Sequence, residues 1–187
     1  MLVLVVGPSG AGKDTLLDAV RASLSGDPRV LFARREITRP ATPGGEDHLP
    51  VDEAAFAAKC DAGGYALWWH AHGLRYGISS DIEAALAQGV TVVASVSRAV
   101  IAEAATRYPV RVVEITAPPA VLAARLQSRA RESAEDIARR LAREVALPDG
   151  LEVVRVINDG SVAQGAERLR LALLGAQPLS PPCRGKA

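Results

Sequence analysis

The sequence predicts a three-layer α/β/α fold around a parallel central sheet, and three observations carry that expectation. Residues 7–15 read Gly-Pro-Ser-Gly-Ala-Gly-Lys-Asp-Thr, between the apolar run 2–6 and a segment with Leu16, Leu17, Val20 and Leu24 at helical spacing. Three later runs, residues 90–96, 110–116 and 153–157, are dominated by β-branched side chains on both faces, as strands buried on both sides of a parallel sheet require. Capping-box-like helix starts stand at Ser80-x-x-Glu83, Ser133-x-x-Asp136 and Ser161-x-x-Gln164, the last two leading into apolar residues three and four apart. Parallel strands joined by helices imply right-handed crossovers and a ligand crevice at the carboxyl ends of the strands.

In chain order, the apolar start is too short for a signal-peptide core, has no basic leader and ends in a loop glycine, so a buried strand is expected. In the loop that follows, Gly7, Gly10 and Gly12 lack a Cβ, and with Pro8, Ser9 and Ala11 they let the backbone aim several amide N–H groups at one anion. The helix beginning near Lys13 adds its positive dipole end, Lys13 a full charge for the β and γ phosphates, and Thr15 a hydroxyl for the α phosphate. This is the phosphate-binding pattern G-x-x-x-x-G-K-[ST] with one departure, and it points to a nucleoside triphosphate, ATP, as a ligand. The departure is Asp14, which stands where a hydroxyl would meet Mg²⁺. Because the run 90–96 does not end in an acid, a carboxylate moved into the loop could restore the negative charge beside the metal. The rival reading is that Asp14 only favours the start of the helix.

Residues 34–77 break the rhythm with Arg34, Arg35, Arg39, the turn Pro43-Gly44-Gly45, His48, Trp68, Trp69, His70, His72, Arg75 and Tyr76, so a second substrate is expected here. His70 and His72 lie two apart and on a strand would face the same way, but no acidic or cysteine ligand joins them at metal spacing. Trp68 and Trp69 are expected as wall and core. Arg125 and Arg129 share a helix face ahead of Arg131, an arrangement suited to a lid over phosphates; the rival is a solvated helix paired with Glu132, Glu135 and Asp136. From Gly175 the chain holds three prolines and little apolar material, and a disordered tail over 175–187 is expected.

The 187 residues fit one domain, and 22 Lys+Arg against 21 Asp+Glu leave a net charge of +1, giving no general reason to expect nucleic acid or a membrane surface. Cys60 and Cys183 do not form a disulfide or zinc framework, which suits a reducing cytoplasm. A homodimer is allowed and nothing in the sequence requires it.

Together with the loop, Ile37-Thr38-Arg39-Pro40, Gly45-Glu46-Asp47, Tyr76-Gly77, Arg125-Leu126 and Val156-Ile157-Asn158-Asp159 resemble the guanylate kinase fold family of P-loop proteins over residues 1–174. Within it, Gly-Lys-Asp in the loop, Thr38-Arg39-Pro40 and Trp69-His70-Ala71-His72-Gly73-Leu74-x-Tyr76-Gly77 look most like ribose 1,5-bisphosphate phosphokinases, which make phosphoribosyl pyrophosphate in phosphonate breakdown. The resemblance implies one kinase domain over 1–174, an acceptor region near 34–77, a short lid near 125–140 with Arg140 as a further arginine, and adenine contact near Asn158. It also aligns Arg39 with the first phosphate-clamping arginine of guanylate kinases, Thr42 with the second and His48 with a tyrosine. The guanine-accepting carboxylate is matched by Leu67, and the acid of the central strand is replaced within Ala94-Ser95-Val96-Ser97. Losing the groups that bind a polar base edge forfeits about 10⁴-fold or more in discrimination, so a purine acceptor is disfavoured.

A sugar bisphosphate needs cations and donors for two phosphates, and the candidates are Arg39, Arg75, Arg98, His48, His70 and His72, with Tyr76 from the family pattern. Lys13, Asp14, Arg39, Arg125 and Arg129 are the expected catalytic groups, with Mg²⁺ beside Asp14. The acceptor is already an anionic phosphate, so no general base is required. A nucleoside monophosphate kinase with unusual base recognition, and a binding module that has lost catalysis, are the alternative readings.

Overall fold

A computed structural model describes residues 1–41, 46–127, 147–148 and 150–175. Thr42, the expected lid residues Arg129, Arg131 and Arg140, the helix start at Ser133 and the tail from 176 lie outside the described residues.

Five strands form the expected parallel sheet: β1 (Leu2–Val6), β2 (Val30–Phe32), β7 (Thr91–Ser95), β8 (Val110–Thr116) and β9 (Val153–Ile157), in the order β2-β7-β1-β8-β9. β1 is central and completely buried, and its side chains alternate between two cores. Leu2, Leu4 and Val6 pack with Val92, Ala94 and Val112 on one face, while Val3 and Val5 pack with Val93, Val113 and Ile115 on the other. Each such side chain contributes about 1.5–3 kcal/mol by leaving water, which is why a polar residue has no place in this strand.

The second face is covered by α1 (Lys13–Ser23), through Leu16, Leu17 and Val20, and by α6 (Val162–Leu173), through Leu169 and Leu173. α5 (Pro119–Gln127) adds Leu122 to the same layer. On the first face lie α3 (Ile82–Ala87), α4 (Ile101–Arg107) after a 3₁₀ turn at Arg98–Val100, and a second sheet. The second sheet is built from β3 (Arg35–Ile37), β4 (His48–Pro50), β5 (Tyr65–Ala71) and β6 (Leu74–Ser79), in the order β4-β3-β6-β5, with α2 (Glu53–Asp61) between β4 and β5. Ile37, Leu67 and Ile78 anchor it in the first core.

The expected strands 110–116 and 153–157 match in their bounds, and the run 90–96 forms a strand one residue shorter at each end; β9, expected to be buried on both faces, lies at the sheet edge with only Val156 buried. Ser161 closes a full capping box with Gln164. Ser80 does not: α3 starts at Ile82, and Glu83 meets Ser80 only through the backbone. His72 is not on a strand. It forms with Gly73 the two-residue turn between β5 and β6, at φ 53° and 73°, so it does not face the same way as His70. Two positive φ values are what this tight hairpin demands, and His is among the side chains that tolerate them. Among the described residues no helix is long and apolar enough to cross a membrane.

Candidate active site

The loop between β1 and α1 lies at the carboxyl end of the central strand, next to the point where the chain order reverses across the sheet. Its backbone is pressed against its surroundings. A Cβ at Gly7 would stand 2.0 Å from the Ile115 carbonyl oxygen, and one at Gly12, where φ is 82°, would stand 2.6 Å from Asn158 Nδ2. Leu122 and Leu126 of α5 close on Gly10 from the side, and Arg125 of the same helix brings Nη1 to 3.9 Å from the position of a Gly12 Cβ. Lys13 Nζ donates to the Gly7 and Pro8 carbonyls at 2.7 and 3.2 Å, so the ammonium arches over its own loop. A cradle with no room for a side chain, crossed by an ammonium and bordered by a guanidinium, fits a polyphosphate.

Asn158, expected near adenine, lies against the loop. Its side chain is 6% exposed and donates to the Ala11 carbonyl at 2.8 Å, while its backbone N–H reaches Thr116 O at 2.7 Å. It supports the loop from beneath, because an inward-turned loop leaves a carbonyl that needs a buried donor. Asp14 projects from the first turn of α1, more than half exposed, and meets Arg35 Nη2 at 3.5 Å. Among the described residues no group of three His, Cys, Asp or Glu is gathered for a metal. Mg²⁺ in nucleotide sites keeps several waters and takes one or two protein oxygens plus phosphate, so one exposed carboxylate beside the cradle fits it.

Facing α1 across a cleft, β3 and the segment before β4 present an ion-pair network. Glu46 accepts from Arg35 Nε and Nη2 through Oε1 at 2.7 and 2.6 Å and from Arg39 Nη2 through Oε2 at 3.3 Å. Asp47 accepts from Arg34 at 2.7 Å and Arg21 at 3.2 Å. His48 is 4% exposed, with Nδ1 2.9 Å from the Glu46 carbonyl and Nε2 3.1 Å from the Arg39 carbonyl. Both ring nitrogens are thus engaged by backbone, and His48 fixes the residues beside it without presenting itself to a ligand. The sheet is tied to α2 by the buried Glu36, which takes Tyr65 Oη at 2.6 Å and Lys59 Nζ at 2.7 Å. Burial, then the hydrogen bond to Glu36, push the Tyr65 phenol well above its ordinary value.

The other expected acceptor residues spread out. Arg75 pairs with Glu53 at 3.0 Å. Tyr76 is nearly buried, stacked on Trp69 with centroids 5.4 Å apart. His70 is exposed and meets Trp68 edge-on; Trp68, expected as wall or core, is itself exposed. Arg98 lies largely buried and donates to Glu114 Oε1 at 2.7 Å, with Arg155 on Oε2 at 2.7 Å, which makes it part of an internal ion pair. Leu67 is completely buried in the apolar core. The sequence reading did not single out Glu46 as a charge bridge or Glu114 as a buried acid; an acid eleven residues after an arginine carries no periodic signal.

No family model matches the chain. The chain is 54% identical over 162 residues to the ribose 1,5-bisphosphate phosphokinase PhnN of Brucella melitensis, spanning 86% of this chain and 84% of that protein. It is 50% identical over 169 residues to the protein of the same name from Methylobacterium radiotolerans, spanning 90% and 94%. Among solved structures, guanylate kinase from Anaplasma phagocytophilum superposes with a TM-score of 0.68 at 18% identity, covering 98% of this chain and 88% of that one.

Proposed function

The chain belongs to the ribose 1,5-bisphosphate phosphokinase family, and from that premise we propose that it transfers the γ-phosphoryl group of ATP to ribose 1,5-bisphosphate, releasing ADP and 5-phospho-α-D-ribose 1-diphosphate in phosphonate catabolism. The observation that carries this reading is 54% identity sustained over 86% of the chain. An oxygen of the acceptor's 1-phosphate attacks the γ phosphorus, the bond from that phosphorus to the β,γ-bridging oxygen breaks, and the electron pair leaves on ADP. The attacking oxygen is already anionic, so no proton has to be removed.

The work left to the protein is alignment and charge neutralisation. The amides of residues 7–12 and Lys13 hold the donor, Asn158 keeps the loop in shape, and Arg125 borders it. Mg²⁺ beside Asp14 would neutralise charge on the β and γ phosphates. Arg129 and the segment to 140 are assigned to a lid, and residues 34–77 to the acceptor. The buried Leu67 offers a purine nothing to bind. We place the protein in the cytoplasm, acting on small molecules within a single kinase domain over 1–174. Phosphorus NMR of the reaction tests the chemistry: two mutually coupled diphosphate resonances, distinct from those of ADP and lost on acid treatment, are expected, whereas only inorganic phosphate and ADP would contradict it.

A further inference from the structure

We propose that Asp14 and Ser95 hold the nucleotide's Mg²⁺ with the two usual donor types interchanged: a carboxylate in the loop binds the ion, and a hydroxyl at the end of β7 takes a water of its shell. The proposal rests on the reading of the chain as an ATP-dependent kinase.

P-loop proteins commonly put a Ser or Thr hydroxyl in the loop and an acid at the end of a neighbouring strand, both toward the metal. Here the loop position is Asp14, and β7, the strand beside β1, ends in Ser95. The fold brings the two positions to one cleft. Ser95 pairs with Val5, two residues before the loop glycine Gly7. Val93 packs on the face that α1 covers, and Ser95, two residues on, shares that face. Asp14 and Leu17 of α1 line the same cleft as Ser95. Ser95 Oγ is buried, and among the described residues it has no hydrogen-bond partner. An unpaired buried hydroxyl costs about 1–3 kcal/mol, which an alanine at the same place would not incur. A water held by an ion would satisfy it.

Asp14 is likewise uncommitted. α1 starts without a side-chain cap, and among the described residues the contact of Asp14 with Arg35 is long, at 3.5 Å, with the carboxylate 58% exposed. The other acids of the cleft are engaged or displaced: Glu46 bridges Arg35 and Arg39, Asp47 bridges Arg21 and Arg34, and Asp18 lies one turn farther along α1 beside Arg21. Mg²⁺ in nucleotide sites keeps several waters and takes phosphate oxygens with one or two protein carboxylates, so one carboxylate and one hydroxyl facing a water suffice.

Mn²⁺ binding, read from the EPR signal of the free ion, tests this with a nonhydrolysable ATP analogue held by excess enzyme and no acceptor present. The proteins are the parent, S95A, D14T and D14T/S95D, with metal-free thermal melting recorded for each. D14T is expected to weaken Mn²⁺ binding about 30-fold and S95A about 10-fold, within the range lost when a group that orients a metal's shell is removed. S95A should melt at or above the parent's temperature without metal, because it deletes an unpaired hydroxyl; a merely structural serine would lose stability and leave the Mn²⁺ affinity alone. D14T/S95D restores the common arrangement and is expected to bind Mn²⁺ within about 3-fold of the parent, a recovery that independent sites could not give. Unchanged Mn²⁺ affinity in S95A, or a double variant no better than D14T, would overturn the proposal. If D14T/S95D does not fold, S95A decides alone. A parent that binds no ATP analogue would overturn the functional reading and this proposal together, whereas a parent that binds analogue and Mn²⁺, with Ser95 variants indifferent, overturns only this one.

Discussion

Single residues decide whether the cradle holds. At Gly12 a methyl group meets Asn158 Nδ2 at 2.6 Å, in a left-handed backbone that L residues resist, so Gly12→Ala should cost about 1–3 kcal/mol in chemical denaturation and weaken ATP binding severely. Asn158→Ala removes the buried donor to the Ala11 carbonyl; a loss of about 1–3 kcal/mol is expected, with a raised KM for ATP and an unchanged KM for the acceptor. Asp14→Asn separates the two readings of that residue: a metal role predicts a large rise in the Mg²⁺ concentration needed for half-maximal rate, and an unchanged requirement would end it. Far from the site, Tyr108 at the end of α4 donates to Glu83 of α3, and burial, then that hydrogen bond, push its phenol from 10.0 to about 12. The folded chain therefore holds this proton more tightly than the unfolded one. Its contribution is complete below pH 10 and lost as pH rises to about 12, so Tyr108→Phe should flatten the alkaline fall of the melting temperature over that interval.

At the scale of elements, legibility followed local composition. β1, β8 and β9 could be read to the residue because each is a run of apolar or β-branched side chains, although only the central β1 is completely buried, and the edge strand β9 buries only Val156. The capping box at Ser161 was equally readable, since both of its partners are local. β2, β3 and β4 have three residues each and no period to detect, and the second sheet depends on pairings between distant segments, such as Arg35 with Ile78. The triphosphate cradle was visible because its residues are contiguous. The cleft beside it was not, because Arg35, Glu46 and Ser95 come from three distant segments that meet only in the folded chain. His48, expected from the sequence to meet a ligand, lies buried with its ring nitrogens 2.9 and 3.1 Å from the Glu46 and Arg39 carbonyls, a placement no local pattern signals. Replacing His48 by Ala should raise the acceptor KM through loss of the Arg39–Glu46 geometry and leave the ATP KM unchanged, which paired substrate titrations would measure.

The whole molecule joins a fold shared with guanylate kinase to a small second sheet edged with ion pairs. One layer is a nucleotide-binding sheet flanked by α1, α5 and α6; the other is a small sheet whose inward face is apolar at Leu67 and whose cleft edge is lined with guanidinium and carboxylate groups. Such an edge suits a ligand made of phosphates and hydroxyls. The most direct test is ADP release measured with ribose 1,5-bisphosphate, GMP, AMP and no acceptor, under identical ATP and Mg²⁺. The account predicts turnover with the sugar bisphosphate and rates at the no-acceptor background with both nucleotides; turnover with GMP and none with ribose 1,5-bisphosphate would contradict it.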